Sequence, residues 1–337
     1  MNYAMVIGIN EYETRPLRGA VQDAKRFAQW LRDTNQVNDS ELELLVSDTG
    51  NRIATHDDVD AAFLKILKSA STNRNEKNRF YFYFSGHGVG VSYLNTGLCL
   101  RMWKDDMPSY NISSSAYQDF LVNQAVFDEI IVFLDCCRDY DFLVDPRKPS
   151  LNVTYSGARR TDVLICYSTL YGKVSHEIMK ESSTEAPDDH DSKRGAFTSF
   201  LIEGLQGDAD TDGDGIVSGD DLLTHIEQNF RSYALKFRKQ QDADGTVSAG
   251  GRNIQVCKVS KTNLGYNYII KFTRDSNITL FDGSNDPIQD AISLDVVAGQ
   301  ELKIQLPKGL IKVVDNNTGQ EKYFTNFNLN TLANEQF

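Results

Sequence analysis

Two short stretches of this sequence carry side chains able to break a covalent bond. Ser85-Gly86-His87-Gly88 sets an imidazole between glycines, and Asp135-Cys136-Cys137-Arg138 sets two thiols between a carboxylate and a guanidinium. A free thiol with a pKa of about 8.5 is only a few per cent thiolate at neutral pH, so a thiol nucleophile needs a base, and imidazole titrates in that range. Glycines beside the imidazole let backbone come close to a substrate and leave the N–H of Gly88 to hold an oxyanion. A lone His or Cys is more often packed than reactive. Together, fifty residues apart and each closing an apolar run, they form a nucleophile-and-base pattern. That chemistry leaves Cys136 and Cys137 both open.

The elements that must position them follow from periodicity. Tyr3 to Ile9, Leu42 to Val46, Arg79 to Phe84, Ile130 to Leu134 and Val163 to Tyr167 read as strands. Gly19 to Arg32, Asp57 to Ser69 and Ala196 to Leu205 read as helices. Near-continuous apolar strands separated by helices predict an α/β fold, a mostly parallel sheet flanked by helices on both faces. In such a sheet, ligands bind at the carboxyl ends of the strands, where the His and Cys stretches emerge. Cys99, Cys166 and Cys257 lie in apolar runs and read as core.

The strand endings Tyr83-Phe84-Ser85-Gly86-His87-Gly88 and Phe133-Leu134-Asp135-Cys136-Cys137 resemble the catalytic segments of caspases, metacaspases and their bacterial relatives. Val6-Ile7-Gly8-Ile9-Asn10-Glu11-Tyr12, Leu17 to Ala24 and Ile165-Cys166-Tyr167-Ser168-Thr169 extend the likeness over residues 1–258. The resemblance implies a large-subunit-like part over 1–139, a linker over 140–161 and a small-subunit-like part over 162–258. It also implies a cysteine endopeptidase needing no cofactor for its chemistry, of a kind used in bacterial defence, stress or cell death. In the family pattern the nucleophile stands two positions after an acidic or amide residue, which selects Cys137 as nucleophile and His87 as base. Cys136, on the opposite side of the strand end, then faces the core. Arg138-Asp139-Tyr140 departs from the His-Ser-Gly usual in metacaspases, and Val89-Gly90 follows His87-Gly88 where a polar neighbour is usual.

Specificity is also implied by the resemblance. Caspases that take Asp at P1, the residue before the scissile bond, use basic pockets, and the corresponding positions here are Leu17 and Asp135. Metacaspases take Arg or Lys with two acids, which fall on Asp23 and Asp135, with Ser168 as a further substrate-binding residue. Paired carboxylates attract a cationic side chain and reject an anionic one. Such an enzyme could cut itself in the polar linker after Lys148, Arg159 or Arg160; a solvated loop is the plainer reading. The polar stretch Lys173 to Arg194 reads as a second loop, near the site.

Asp210, Asp212, Asp214, Ile216 and Asp221 fall at positions one, three, five, seven and twelve of a calcium loop, with Leu222 to Phe230 continuing as a helix. A structural or regulatory Ca²⁺ is expected there, against the plainer reading of an acidic turn. Gly245 to Gly251 reads as a break, and after it short β-type runs over residues 262–337 predict a small all-β module suited to binding a protein partner. The formal charge of −12 leaves no basic excess for nucleic acid. With no membrane span and no secretory signal, a cytoplasmic location is expected. The competing function is a caspase-fold scaffold or regulator, catalytically weak, that binds partners through the β module. Retention of both His87 and Cys137 favours the peptidase.

Overall fold

The structure is a computed structural model that describes residues 1–34, 36–48, 51–52, 54–104, 106–140, 144–155, 159–179, 193–259, 268–288, 291–304, 306, 309–326 and 333–336. It divides into two compact units, Met1–Leu205 with Ile216–Lys258, and Gln206–Gly215 with Val259–Phe337.

The first unit is built on one sheet. Its elements in chain order are β1 (Asn2–Ile9), α1 (Ala20–Asp33), β2 (Leu42–Asp48), α2 (His56–Thr72), β3 (Arg79–Ser85), α3 (Ser114–Gln124), β4 (Glu129–Asp135), β5 (Asp162–Tyr167), α4 (Ala196–Glu203), α5 (Gly219–Lys236) and β6 (Asp244–Val247). The order across the sheet is β6-β5-β4-β3-β1-β2, with Asn51–Arg52 at the far edge. β1 to β5 pair in parallel, and β6 closes the sheet antiparallel to β5.

Strand β3 shows why both faces are covered. Its alternating Phe and Tyr point to opposite sides by the two-residue period of a strand. Phe80 and Phe82 meet Phe63 of α2, which also meets Tyr117 of α3. Tyr83 stacks on Phe27 of α1, and its hydroxyl bonds Thr198 of α4. Burial of these rings contributes about 1.5–3 kcal/mol each and fixes the register, since a one-residue slip would exchange the two faces. Helix α2 starts with a capping box between Thr55 and Asp58, and α5 with one between Ser218 and Asp221.

Three features were not expected from the sequence. The edge strand β6, Asp244–Val247, runs into the stretch from Gly245 to Gly251 read as a break. Gly88–Ser92, Asn95–Cys99 and Asn111–Ser113 form a small antiparallel sheet directly after His87, joined in parallel by Asp139–Tyr140. The linker is not a free loop where it is described. Arg147 pairs its backbone with Asn111 and Ser113, the Lys148 carbonyl meets His56 Nε2 at 3.3 Å, and Ser150 N donates to Asp60.

Among the described residues, the second unit has two small sheets. Tyr268–Lys271 lies between Glu301–Ile304 and Ala333–Gln336, and the other runs Leu294–Val296, Ser276–Phe281, Gly309–Asp315, Glu321–Asn326. Ile270, Phe272, Leu280, Val296, Ile311 and Val313 belong to its common core. Gln206–Gly215 groups with this unit, ahead of the boundary expected at residue 262.

Candidate active site

Register brings the His and Cys stretches together. In the parallel pairing of β3 with β4, Ser85 stands opposite Asp135, so His87 and Cys137 each lie two residues beyond a matched position. Both side chains line a cavity of about 320 Å³, shared with Asp23, Asp135, Ser175, Glu177 and Gly195 among others. A Cβ on Gly88 would sit 2.5 Å from the Cys137 carbonyl oxygen and 2.6 Å from Cys136 Sγ, so only glycine lets the His stretch lie this close to the Cys stretch.

His87 is oriented from two sides. Its Nε2 is 2.7 Å from the carbonyl oxygen of Arg15, and its backbone N–H donates to the Tyr12 hydroxyl at 3.0 Å. A carbonyl only accepts, so Nε2 carries the hydrogen and Nδ1 carries the lone pair of the neutral ring. Tyr12 is itself fixed by donating to the Cys99 carbonyl and by lying against the imidazole, ring centroids 4.6 Å apart.

Cys137 is partly buried, with its Sγ 3.3 Å from Ser175 N and 3.8 Å from Ser175 O. Burial pushes its thiol up, the Ser175 N–H pulls it down, and the charges of Asp135 and Asp139 push it up again. A thiol held in this way needs a base to take its proton before it can attack. Cys136 is buried in the core, where burial raises its pKa further.

The two acids converge. Asp23 Oδ2 accepts from Gly195 N at 2.5 Å, while Asp135 Oδ2 accepts from Thr198 N and Oγ1 at 3.1 and 2.6 Å and Oδ1 accepts from Ser175 Oγ at 2.9 Å. Burial raises the pKa of both, and in Asp23 the charge of Asp135 adds to it. Sequence reasoning missed a third carboxylate, Glu177, whose Oε1 accepts from Arg18 N and Gly19 N at 3.0 and 2.5 Å. It lies in the stretch read as a polar loop, where nothing in the local pattern marks it.

Ser168, expected among the substrate-binding residues, is fully buried: its hydroxyl donates to the Cys136 carbonyl and accepts from Cys136 N, at 3.0 and 3.1 Å. It holds the turn that presents Cys137. Arg138 does the same from below, almost fully buried, its guanidinium 3.8 Å over the Tyr167 ring and 3.6 Å from Asp244.

The remaining expected residues lie apart from this cavity's lining. Lys148 is exposed; the Arg159 guanidinium donates to the carbonyls of Val126 and Arg74 and pairs with Asp128 at 2.9 Å; the Arg160 side chain is 73% exposed. Asp210, Asp212 and Asp214, in the second unit, bring one carboxylate oxygen each within 4.8 Å of one another, a spacing that fits a hard cation. Ile216 and Asp221 belong to the first unit, where Asp221 Oδ2 accepts from Ser218 N at 2.9 Å. Among the described residues, no helix is long and apolar enough to cross a membrane.

The sequence profile of the caspase domain matches residues 1–261, most of the chain. The chain belongs to the caspase domain family. A probable protease from a Desulfuromonadales bacterium is 28% identical over 262 residues, 67% of this chain and 29% of that protein, so the match spans under a third of the relative. A solved structure of a Geobacter sulfurreducens protein covers 77% of this chain and 99% of its own, at 12% identity and a TM-score of 0.42. Membership in the caspase family accords with the fold, a mostly parallel sheet between helices.

Proposed function

We propose that the chain is a cysteine endopeptidase that cuts proteins after Arg or Lys. The observation that carries this reading is the grouping of Asp23, Asp135 and Glu177 around the cavity that also holds His87 and Cys137. Three acids around one cavity, against the single cation Lys239 and the imidazole of His176 on the same lining, favour a guanidinium or ammonium group over Asp or Glu.

In this mechanism the basic side chain of the substrate enters the acidic pocket and sets its carbonyl carbon at Cys137 Sγ. The thiol proton passes to His87 Nδ1 as sulfur attacks, and the carbonyl oxygen, gaining charge, is held by the Gly88 N–H. The imidazolium then gives its proton to the leaving amine nitrogen as the C–N bond breaks, leaving a thioester. Water attacks that thioester with His87 again taking a proton, which restores the thiol and releases the carboxylic acid. No metal takes part in these steps.

Two regulatory features accompany this reading. A Ca²⁺ held by Asp210, Asp212 and Asp214 would neutralise three close carboxylates and order their loop. Self-processing, where it occurs, is expected at Lys148 or Arg160, both exposed, rather than at Arg159, whose guanidinium is paired with Asp128.

The test is a panel of fluorogenic peptides with Arg, Lys or Asp at P1, given to the wild-type chain and to Cys137→Ala, with and without calcium. Turnover after Arg and Lys by the wild type alone is expected. Cleavage after Asp would overturn the pocket assignment, and silence on every peptide would remove the peptidase reading.

A further inference from the structure

The chain continues past both reacting residues into paired backbone. Beyond His87, Val89 and Gly90 run in parallel with Asp139 and Tyr140 beyond Cys137. A third segment joins them, since Arg138 N donates to the Lys173 carbonyl and Gly172 N donates to the Arg138 carbonyl, at 2.9 and 2.8 Å. The three segments bring an apolar cluster to the surface. Tyr140 and Tyr171 meet edge to face at 4.9 Å, Tyr93 lies 6.4 Å from Tyr171, and Tyr171 Oη donates to the Val91 carbonyl. Tyr93 and Tyr140 are each 54% exposed, high for large apolar side chains held in one cluster, and Leu94, next to Tyr93 in the chain, is 56% exposed. Arg138 beneath them, 5.9 and 5.8 Å from the Tyr93 and Tyr171 ring centres, gives this surface a rigid floor.

We propose that Tyr93, Leu94, Tyr140 and Tyr171 form a ledge that binds apolar or aromatic side chains on the leaving-group side of the scissile bond. The position of the cluster along the chain argues for that occupant. Asp135, in the acidic pocket, precedes the thiol by two residues, and Tyr140 follows it by three. At roughly 3.3 Å per extended residue, Tyr140 stands within about 10 Å of the thiol, the span of the first two or three residues after the cut. A peptide with its basic side chain in the pocket and its carbonyl carbon at Sγ directs its leaving amine away from the pocket, toward this surface. Aromatic rings presented at low entropy cost suit such contacts. The substrate class becomes a basic residue followed within three positions by an aromatic or branched apolar one. This rests on Cys137 as the nucleophile and on the acidic pocket.

The test profiles cleavage sites made by the full chain, with calcium, in a proteome-derived peptide library prepared by cutting at Glu so that Arg and Lys stay internal. Enrichment of Phe, Tyr, Leu or Ile in the three positions after the cut is expected at about tenfold over Gly and Ser. It is expected to fall below twofold in Tyr93→Ser and Leu94→Ser, at the hairpin tip, and in Tyr140→Ser. Retained selection at P1 in each variant shows that it is folded and that only the ledge was lost. Basic P1 with a flat profile after the cut, or an enrichment equal in wild type and variants, overturns the ledge and leaves the pocket standing. Apolar enrichment after the cut with a non-basic P1 overturns the pocket and supports the ledge. A chain that cuts no peptide overturns both.

Discussion

The carboxyl groups of Asp23 and Asp135, one from the first turn of α1 and one from the end of β4, press on each other inside the protein. Both side chains are buried, and the charge of Asp135 is second only to burial in raising the pKa of Asp23. Arg26 gives partial relief at 3.5 Å. Such a pair is costly without a cation between its members, and that cost underlies the proposed preference for Arg or Lys.

Replacing Asp23 by Asn separates cost from selectivity. A carboxyl whose pKa is raised by folding holds its proton longer in the folded chain than in the unfolded one. Its stability contribution is full below the ordinary carboxyl range and is lost as pH rises through the raised value. Asn removes that loss while still offering an oxygen to Gly195 N. The thermal midpoint of Asp23→Asn should exceed that of wild type by a few degrees at pH 8, with the gap closing toward pH 4. Its kcat/KM for Arg peptides should fall by about 30-fold or more. Scanning calorimetry across pH and steady-state kinetics check the two halves.

The adjacent cysteines should part cleanly. Cys137→Ala should abolish turnover with little change in stability, since its sulfur lies at the cavity wall. Cys136→Ala should keep measurable turnover and lose about 1 kcal/mol of stability, because its sulfur fills core space beside Gly88. Active-site titration with chemical unfolding separates them.

Alkylation should report the resting state of Cys137, the proposed nucleophile. With its pKa above the usual thiol value, Cys137 should react slowly with iodoacetamide at pH 7, and the rate should still be climbing at pH 9. A rate that levels off below pH 8 would show a thiolate already formed before substrate arrives. Intact-protein mass spectrometry on Cys136→Ala follows the site directly.

What the sequence could show about this site depended on how local each signal was. β3 and β4 were legible because uninterrupted apolar runs ending in reactive residues have few other interpretations, and their parallel pairing follows from fold class. Asp244-Gly245-Thr246-Val247 was not, since its turn-forming residues conceal a strand that exists only because β5 offers an edge. Glu177 and Ser175 were hidden because their roles come from tertiary placement across the Cys137 thiol and the start of α1. Ser168 was assigned to substrate by likeness, whereas burial and two bonds to Cys136 give it a supporting part.

Gly195 offers the sharpest test of the pocket, because its backbone conformation, φ −64° and ψ 132°, suits any residue and only space is at issue. A Cβ there would lie 2.1 Å from Asp135 Oδ2 and 3.1 Å from Asp23 Oδ2. Gly195→Ala must therefore displace Asp135 from the Thr198 N–H and hydroxyl that hold it, or push the start of α4 outward. Either way the chain should lose about 1–3 kcal/mol of stability and roughly 100-fold in kcat/KM for Arg substrates. Shortening the acid removes the clash, so Gly195→Ala with Asp135→Ala should recover stability relative to Gly195→Ala alone while turnover after Arg stays low. That recovery of stability without recovery of turnover is non-additive in stability, as expected for two groups competing for one space. Equal stability of the two Gly195 variants would mean that Asp135 does not occupy the position that gives the pocket its charge.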